Sequence, residues 1–218
     1  MWNPRWLIAA CLCLATPAGA AGEGAALLEA AAQGQADRVR ALLAQGAPRE
    51  ARDAQGNTPL LRATDGNHVA AARVLIEAGA DVNAQNRMLD SAYLLAGARG
   101  YNEILRLTLD HGADLKSANR YGGTALIPAC ERGHVETVDL LLKAGVDPDH
   151  VNRLGWTGLL EAIILSDGGP RHQAIVRRLI AAGADVNLAD GDGVTPLAHA
   201  RQRGHKDTER LLLAAGAR

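Results

Sequence analysis

The sequence predicts an all-α solenoid of six stacked helix–turn–helix repeats. Three observations predict it: a core-forming composition almost without aromatics, two independent markers recurring every 33 residues, and turn residues at fixed points of that period.

Of the 218 residues 48% are apolar, yet there is no Phe and only three Trp and three Tyr. Large aromatic side chains usually dominate the centre of a globular core. A core of Ala, Leu, Val and Ile suits thin layers of closely packed helices instead, and Ala loses no side-chain entropy in a helix. The net charge is −1, with no long run of Lys or Arg, so the electrostatic footprint of a nucleic-acid binder is absent.

Gly-Ala recurs at Gly46, Gly79, Gly112, Gly183 and Gly216, with Gly145-Val146 in the same series, at steps of 33, 33, 33, 38 and 33. Thr58, Ser91, Thr124, Thr157 and Thr195 follow at 33, 33, 33 and 38. The two series share both the period and one five-residue insertion, which sets six repeats beginning near Gly22, Asp53, Asn86, Asn119, Asn152 and Asp190.

Each marker has a physical role. Thr or Ser caps the first helix, and Pro beside it is tolerated at the first helical position. Gly after the second helix supplies a left-handed C-terminal residue. Asn67 takes the inter-helix turn of repeat two, where Asn is the other residue that tolerates that conformation. Leu140–Leu142 and Leu211–Leu213 supply stripes that only a neighbouring repeat can bury. Repeat one opens directly on an Ala-rich helix, Ala25 to Ala32, and repeat six stops just past its last helix, as terminal caps do.

The first twenty residues read as a secretory signal: Arg5, an apolar stretch from Trp6 to Ala15, then a small-residue site with cleavage expected after Ala20. The stretch is shorter than the roughly 20 residues that span a bilayer. A lipoprotein reading of Ile8–Cys11 leaves only Trp6 and Leu7 for the apolar region. Cleavage leaves Cys130 as the one thiol, without a disulfide partner. The expected location is the periplasm or the exterior, with no membrane insertion after cleavage.

The period and its words resemble the ankyrin repeat. Asn57–Leu60 and Val194–Leu197 match the first-helix opening; Gly133-His134 and Gly204-His205 match the inter-helix turn; Gly79–Asn83 and Gly183–Asn187 match the loop beyond the second helix. The resemblance covers residues 22 to 218 and implies short β-hairpin loops between repeats. It also implies a non-enzymatic, cofactor-free, monomeric scaffold that binds another protein through hairpin tips and first-helix ends. Where the family usually has a His three residues after the Thr, this chain has Leu61, Leu94, Ile127, Leu160 and Ala198, so packing replaces the usual polar network.

Carried onto this register, the tips of repeats three to five show Arg then a large apolar residue: Arg87-Met88, Arg120-Tyr121 and Arg153-Leu154, each after an Asn. The three Arg are expected in a row, about 10 Å apart. First-helix ends add Arg99, Glu131-Arg132 and Ile164-Leu165, and Trp156 is expected on the rim. Arg, Tyr, Trp and Met are enriched at interfaces. Ser166–His172 carries the insertion, where Asp167 and Arg171 join the candidate surface.

Other chemistries are weaker. Cys130 replaces the second Ala of an Ala-Ala pair that faces the core, with no adjacent His or Lys to activate it. His68, His134, His172 and His205 share a turn position, but packed helices lie too far apart to share a zinc. Glu131 and Glu161, on neighbouring first helices, suggest an acid/base pair only by residue type. Two alternatives stand beside the scaffold reading: a small-ligand binder or enzyme centred on Trp156, Glu161 and the 166–172 loop, and a secreted effector that binds a host protein.

Overall fold

The structure, a computed structural model, describes residues 17–218. Twelve helices follow in pairs: α1 (Pro17–Ala32) and α2 (Ala36–Ala44), α3 (Pro59–Asp65) and α4 (Val69–Glu77), α5 (Ala92–Arg99) and α6 (Asn102–Asp110), α7 (Leu126–Glu131) and α8 (Val135–Ala144), α9 (Gly158–Ile164) and α10 (Pro170–Ala181), α11 (Pro196–Gln202) and α12 (Lys206–Ala214). Odd-numbered helices pack on one another in one layer, and even-numbered helices form the second. Among the described residues there is no strand; the hairpins are turns. The helix of repeat one starts earlier than Ala25, at Pro17, so it runs through the junction after Ala20. Residues 1–16 of the expected signal lie outside the described residues.

The buried stripe follows the period. Leu27, Leu60, Tyr93, Leu126, Leu159 and Leu197 hold one position of the odd helices, and all are buried. On the even helices Val39, Ala72, Leu105, Val138 and Val176 are fully buried at one position. Its last member is Glu209, which takes Arg201 and Lys206 as partners, so the stack ends on a polar face. Fully burying one Leu or Val contributes about 2 kcal/mol, and here every such burial needs the next repeat.

Every left-handed residue of the described chain falls in one of three places: the hairpin, the inter-helix turn or the end of the second helix. Two are not glycine. Asn67 (φ 53°) was legible as a turn residue; Leu89 (φ 58°) replaces the hairpin glycine of the other repeats. A branched side chain there costs about 1–2 kcal/mol.

Capping follows expectation in four of five hairpin-bearing repeats: Thr58, Ser91, Thr157 and Thr195 accept from the backbone N–H three residues on. Thr124 is the exception, and its buried hydroxyl has no partner. Pro128 explains this. In the other repeats the residue four after the cap donates to the cap's carbonyl, as Glu161 does to Thr157 at 3.0 Å. Proline has no N–H to give, so α7 starts late, with Ala125 at its cap position.

The inter-helix histidines are structural. A side chain on the turn glycine of the preceding repeat would strike the ring: Gly34 meets His68, Gly100 meets His134, Gly133 meets His172 and Gly168 meets His205. In the first four repeats a carbonyl at the end of the first helix then takes a donor from the next repeat. His68 serves Ala32 (3.0 Å), Arg99 serves Asp65 (3.0 Å), Arg132 serves Ala98 (2.9 Å) and His172 serves Glu131 (2.9 Å). No cluster of metal-ligating side chains occurs among the described residues.

Cys130 is fully buried, its sulfur close enough to Gly158 that a Cβ there would lie 3.1 Å away, and burial pushes its thiol pKa well up. The insertion lengthens the connector and adds a first turn to α10, which starts on Pro170. It also supplies Gly168 to the ring of His205, so it belongs to the stack.

Tyr93 stands where the other first helices have Leu, and its buried hydroxyl has no hydrogen-bond partner. Such a group costs about 1–3 kcal/mol. Tyr93→Phe is therefore expected to raise unfolding stability by about 1 kcal/mol, measured by urea denaturation at constant m-value.

Candidate functional site: the hairpin and first-helix face of repeats three to five

Each hairpin is tied by its opening residue. One side-chain oxygen of Asp53, Asn86, Asn119, Asn152 and Asp190 accepts from the N–H groups two and four residues on, at 2.8–3.1 Å. The Asn before each tip Arg therefore has a structural role. Beyond the tie, Asn86 Nδ2 donates to Asn57 at 2.7 Å, and Asn152 Nδ2 donates to Glu161 Oε1 at 2.8 Å.

The three tip arginines keep their register but do not form a row of equivalents. Arg87 and Arg153 bond by their backbone N–H to the preceding tip, at Gln55 (3.1 Å) and Tyr121 (2.9 Å). Their stems lie close over Gly56 and Gly122, and Arg153 Nη1 also donates to the Arg120 carbonyl at 2.7 Å. Arg153 thus runs along the hairpin edge. Before Arg120 the glycine seat is occupied by Leu89, and no such backbone bond forms. Arg120 instead lies over the Tyr121 ring, 4.7 Å from its centroid, and 3.7 Å from Asp90.

A cavity of about 370 Å³ opens beside it, lined by Arg120, Tyr121, Glu131, Arg132, Leu154 and Glu161, together with Asn119, Pro128, Asn152 and Leu165. Six of the thirteen expected site residues meet there. A second hollow of about 240 Å³ continues the face and adds Arg99. Arg99 and Arg132 are less free than expected, since each serves a carbonyl of the preceding helix, and Arg99 also pairs with Asp65 at 2.8 Å. Arg87 and Met88 stand exposed at the tip of repeat three, apart from both cavities. Ile164 is buried, not part of the exposed pair; Leu165 is 49% exposed.

The structure does not assemble Trp156, Glu161 and the 166–172 loop into one pocket. Trp156 is half-buried and lines neither cavity. In the loop, Ser166 and Asp167 accept from Gly168 and Gly169, and Gln173 closes it on the Gly168 carbonyl at 2.8 Å. The Gly169 N–H holds the Asp167 carboxyl below its ordinary range, and Arg171 is exposed nearby. Like the other inter-helix turns, the loop faces the next repeat, with Gly168 against His205, and it lines neither cavity.

Sequence reasoning named Leu165 among the first-helix ends but missed Pro128 and Asp90. Pro128 and Glu161 share the position four after the cap, and Leu165 stands where Arg132 stands one repeat earlier. Comparing the position four after the cap across repeats would have found Pro128.

Glu161 is the buried charge of the site, 6% exposed. Burial, then the neighbouring Glu131 charge, pushes its pKa up from 4.5 to about 7, against the Asn152 hydrogen bond and Arg132. Burial and Arg132 lower the pKa of His134, and burial and Arg203 lower that of His205.

The comparisons with known proteins agree with this architecture. The family described as "Ankyrin repeats (3 copies)" matches residues 7–86 and 92–190. The chain belongs to the ankyrin-repeat family. An ankyrin repeat domain from Acinetobacter baumannii AYE is 59% identical, with 88% of this chain and 98% of that one covered and a TM-score of 0.86. The ankyrin repeat protein EF0377 is 43% identical, with 87% and 97% covered and a TM-score of 0.84. The ankyrin repeat domain of Bcl-3 is 31% identical, with 88% and 86% covered and a TM-score of 0.80. The putative ankyrin repeat protein YahD of Escherichia coli K12 is 53% identical over 58 residues, 27% of this chain and 29% of that protein's length.

In this ankyrin-repeat protein the titration of Glu161 has a definite sign. Between 4.5 and about 7 the folded chain keeps a proton that the unfolded chain has lost. The group's stabilising contribution is therefore complete below pH 4.5 and is lost as pH rises through 7. His134 and His205 act oppositely, since their lowered values cost stability as pH falls below 6.5. Comparing wild type with Glu161→Gln isolates the carboxyl. The stability difference, wild type minus variant, is expected to fall by about 3 kcal/mol between pH 4 and 8 in denaturant titrations.

Proposed function

We propose that this protein is an exported, non-enzymatic scaffold whose hairpin and first-helix face in repeats three to five holds another protein. Ankyrin repeats are protein-interaction scaffolds, and membership of the family supplies the general reading. The observation that carries the location is exposure. Tyr121 (55%), Leu154 (60%) and Leu165 (49%) present apolar surface around one cavity, next to an Arg120 that is not stitched to the preceding hairpin. Aromatic, aliphatic and Arg side chains around a recess are what interface hot spots are made of.

The export half of the proposal rests on Arg5, the apolar stretch Trp6–Ala15 and the small residues that follow. It places the scaffold in the periplasm or outside the cell, as a monomer without cofactor that supports or protects its partner. Among the described residues no helix is long and apolar enough to cross a membrane.

Two measurements test this. Affinity capture from periplasmic extract is expected to retain one partner that Arg120→Glu with Leu154→Asp loses at least tenfold, both changes lying on exposed side chains and leaving thermal unfolding unchanged. A partner held equally by the double variant would place the interface elsewhere. Alkaline phosphatase fused after Ala32 is expected to be active; an inactive fusion removes the export claim.

A further inference from the structure

Glu161 is an unusual side chain for this face. It comes from α9, is 6% exposed, and gives only one oxygen, Oε1, to a protein donor, Asn152. The other oxygen takes no donor, and the residue lines the 370 Å³ cavity together with Glu131 of α7. Burying a carboxylate is costly unless it is paired, and among the described residues neither Glu131 nor Glu161 has a cation within salt-bridge distance.

The two nearest cations are committed elsewhere. Arg120 lies over Tyr121 and near Asp90, and Arg132 donates to the Ala98 carbonyl at 2.9 Å; both lean toward repeat three. At the position of repeat five that corresponds to Arg132 stands Leu165, so the next repeat offers no guanidinium there. Besides these two committed arginines, the recess is lined by the carboxyls of Glu131 and Glu161 and the apolar Pro128, Leu154 and Leu165.

We infer that this recess takes a basic side chain of the partner protein, its aliphatic stem against Leu154 and Leu165 and its cationic head between Glu131 and Glu161. Arginine fits best, because its planar fork of donors reaches two carboxylates at once and is weakly hydrated, so it enters a partly dry site at lower cost than an ammonium. The inference rests on the scaffold reading and adds the chemistry of the anchor. It also explains why the exposed apolar residues surround this cavity, since hot-spot pockets are ringed by contacts that exclude water.

The test uses the whole protein, labelled with nitrogen-15, and blocked amino-acid amides as probes. N-acetyl-arginine amide is expected to shift the Asn152 side-chain signal and the amides around Glu161 saturably. N-acetyl-citrulline amide, its neutral isostere, is expected to bind at least tenfold more weakly, with N-acetyl-lysine amide between them. Glu161→Gln keeps the acceptor for Asn152 and is expected to abolish the arginine preference; Glu131→Gln, on a less buried side chain, is expected to weaken it several-fold. Equal binding of arginine and citrulline amides, or an arginine preference that survives both substitutions, overturns the inference. If arginine amide fails to bind while partner capture still depends on Arg120 and Leu154, the anchor is wrong and the scaffold reading stands. If arginine amide binds as expected and no partner is captured, the recess stands and the scaffold reading falls.

Discussion

The structure depends on one oxygen per hairpin. In repeats two to six the Asp or Asn that opens the hairpin points a side-chain oxygen into its own turn and satisfies two backbone N–H groups. Those groups have no strand to pair with, so the tie replaces a sheet ladder. Once the turn is closed, the cap falls in place at the head of the first helix, and the stripe beneath it meets its neighbour. The atoms left over from the tie then reach outward. Asp190 offers its second oxygen to His199 at 2.7 Å, and Asn152 gives its amide to Glu161. A residue required by the turn thereby sets the environment of the candidate site.

Most of the fold was legible because it repeats. Local rules act on short words, and a word seen several times at one spacing needs no tertiary information. The Thr caps, the glycines after second helices and Asn67 in its turn are of that kind. Legibility failed where an outcome depends on the preceding repeat. Arg87, Arg120 and Arg153 look alike in sequence, yet Arg120 alone meets a leucine where the others find glycine, and so it alone leaves the hairpin edge. Arg99 and Arg132 read as free surface charge, but the last carbonyl of the helix beneath needs a donor. Where no Arg is available the histidine takes that role, which is why His68 and His172 bond a carbonyl and His134, beside Arg132, does not.

The candidate site was half legible for the same reason. Residue types pointed to the right face, and Arg120, Tyr121, Glu131, Arg132, Leu154 and Glu161 do meet. Burial was hidden, however. Glu161 sits four residues after its cap, where repeat two has the half-exposed Arg62 and repeat six has His199. Only the packing of α7 against α9 and the tie at Asn152 bury it. The insertion misled in the other direction. Asp167 and Arg171 were expected on the candidate surface, whereas their loop closes a turn that delivers Gly168 to the ring of His205.

Three of the departures from regularity cost stability and lie in repeats three to five. Leu89 accepts a left-handed backbone, Pro128 leaves Thr124 without its capping bond, and Glu161 is buried without a cation. The left-handed Leu89 and the lost cap are each worth about 1–2 kcal/mol, a sizeable fraction of a domain's whole margin. A solenoid absorbs such losses because stability is summed over neighbouring interfaces, and the repeats on either side keep their caps and ties. The three defects are also linked in space. Leu89 frees Arg120 from the hairpin edge, Pro128 forms a wall of the cavity that Arg120 borders, and Glu161 lies at its floor. Their meeting around one cavity is a physical reason to test that cavity first, because strain persists only where the surrounding structure holds it.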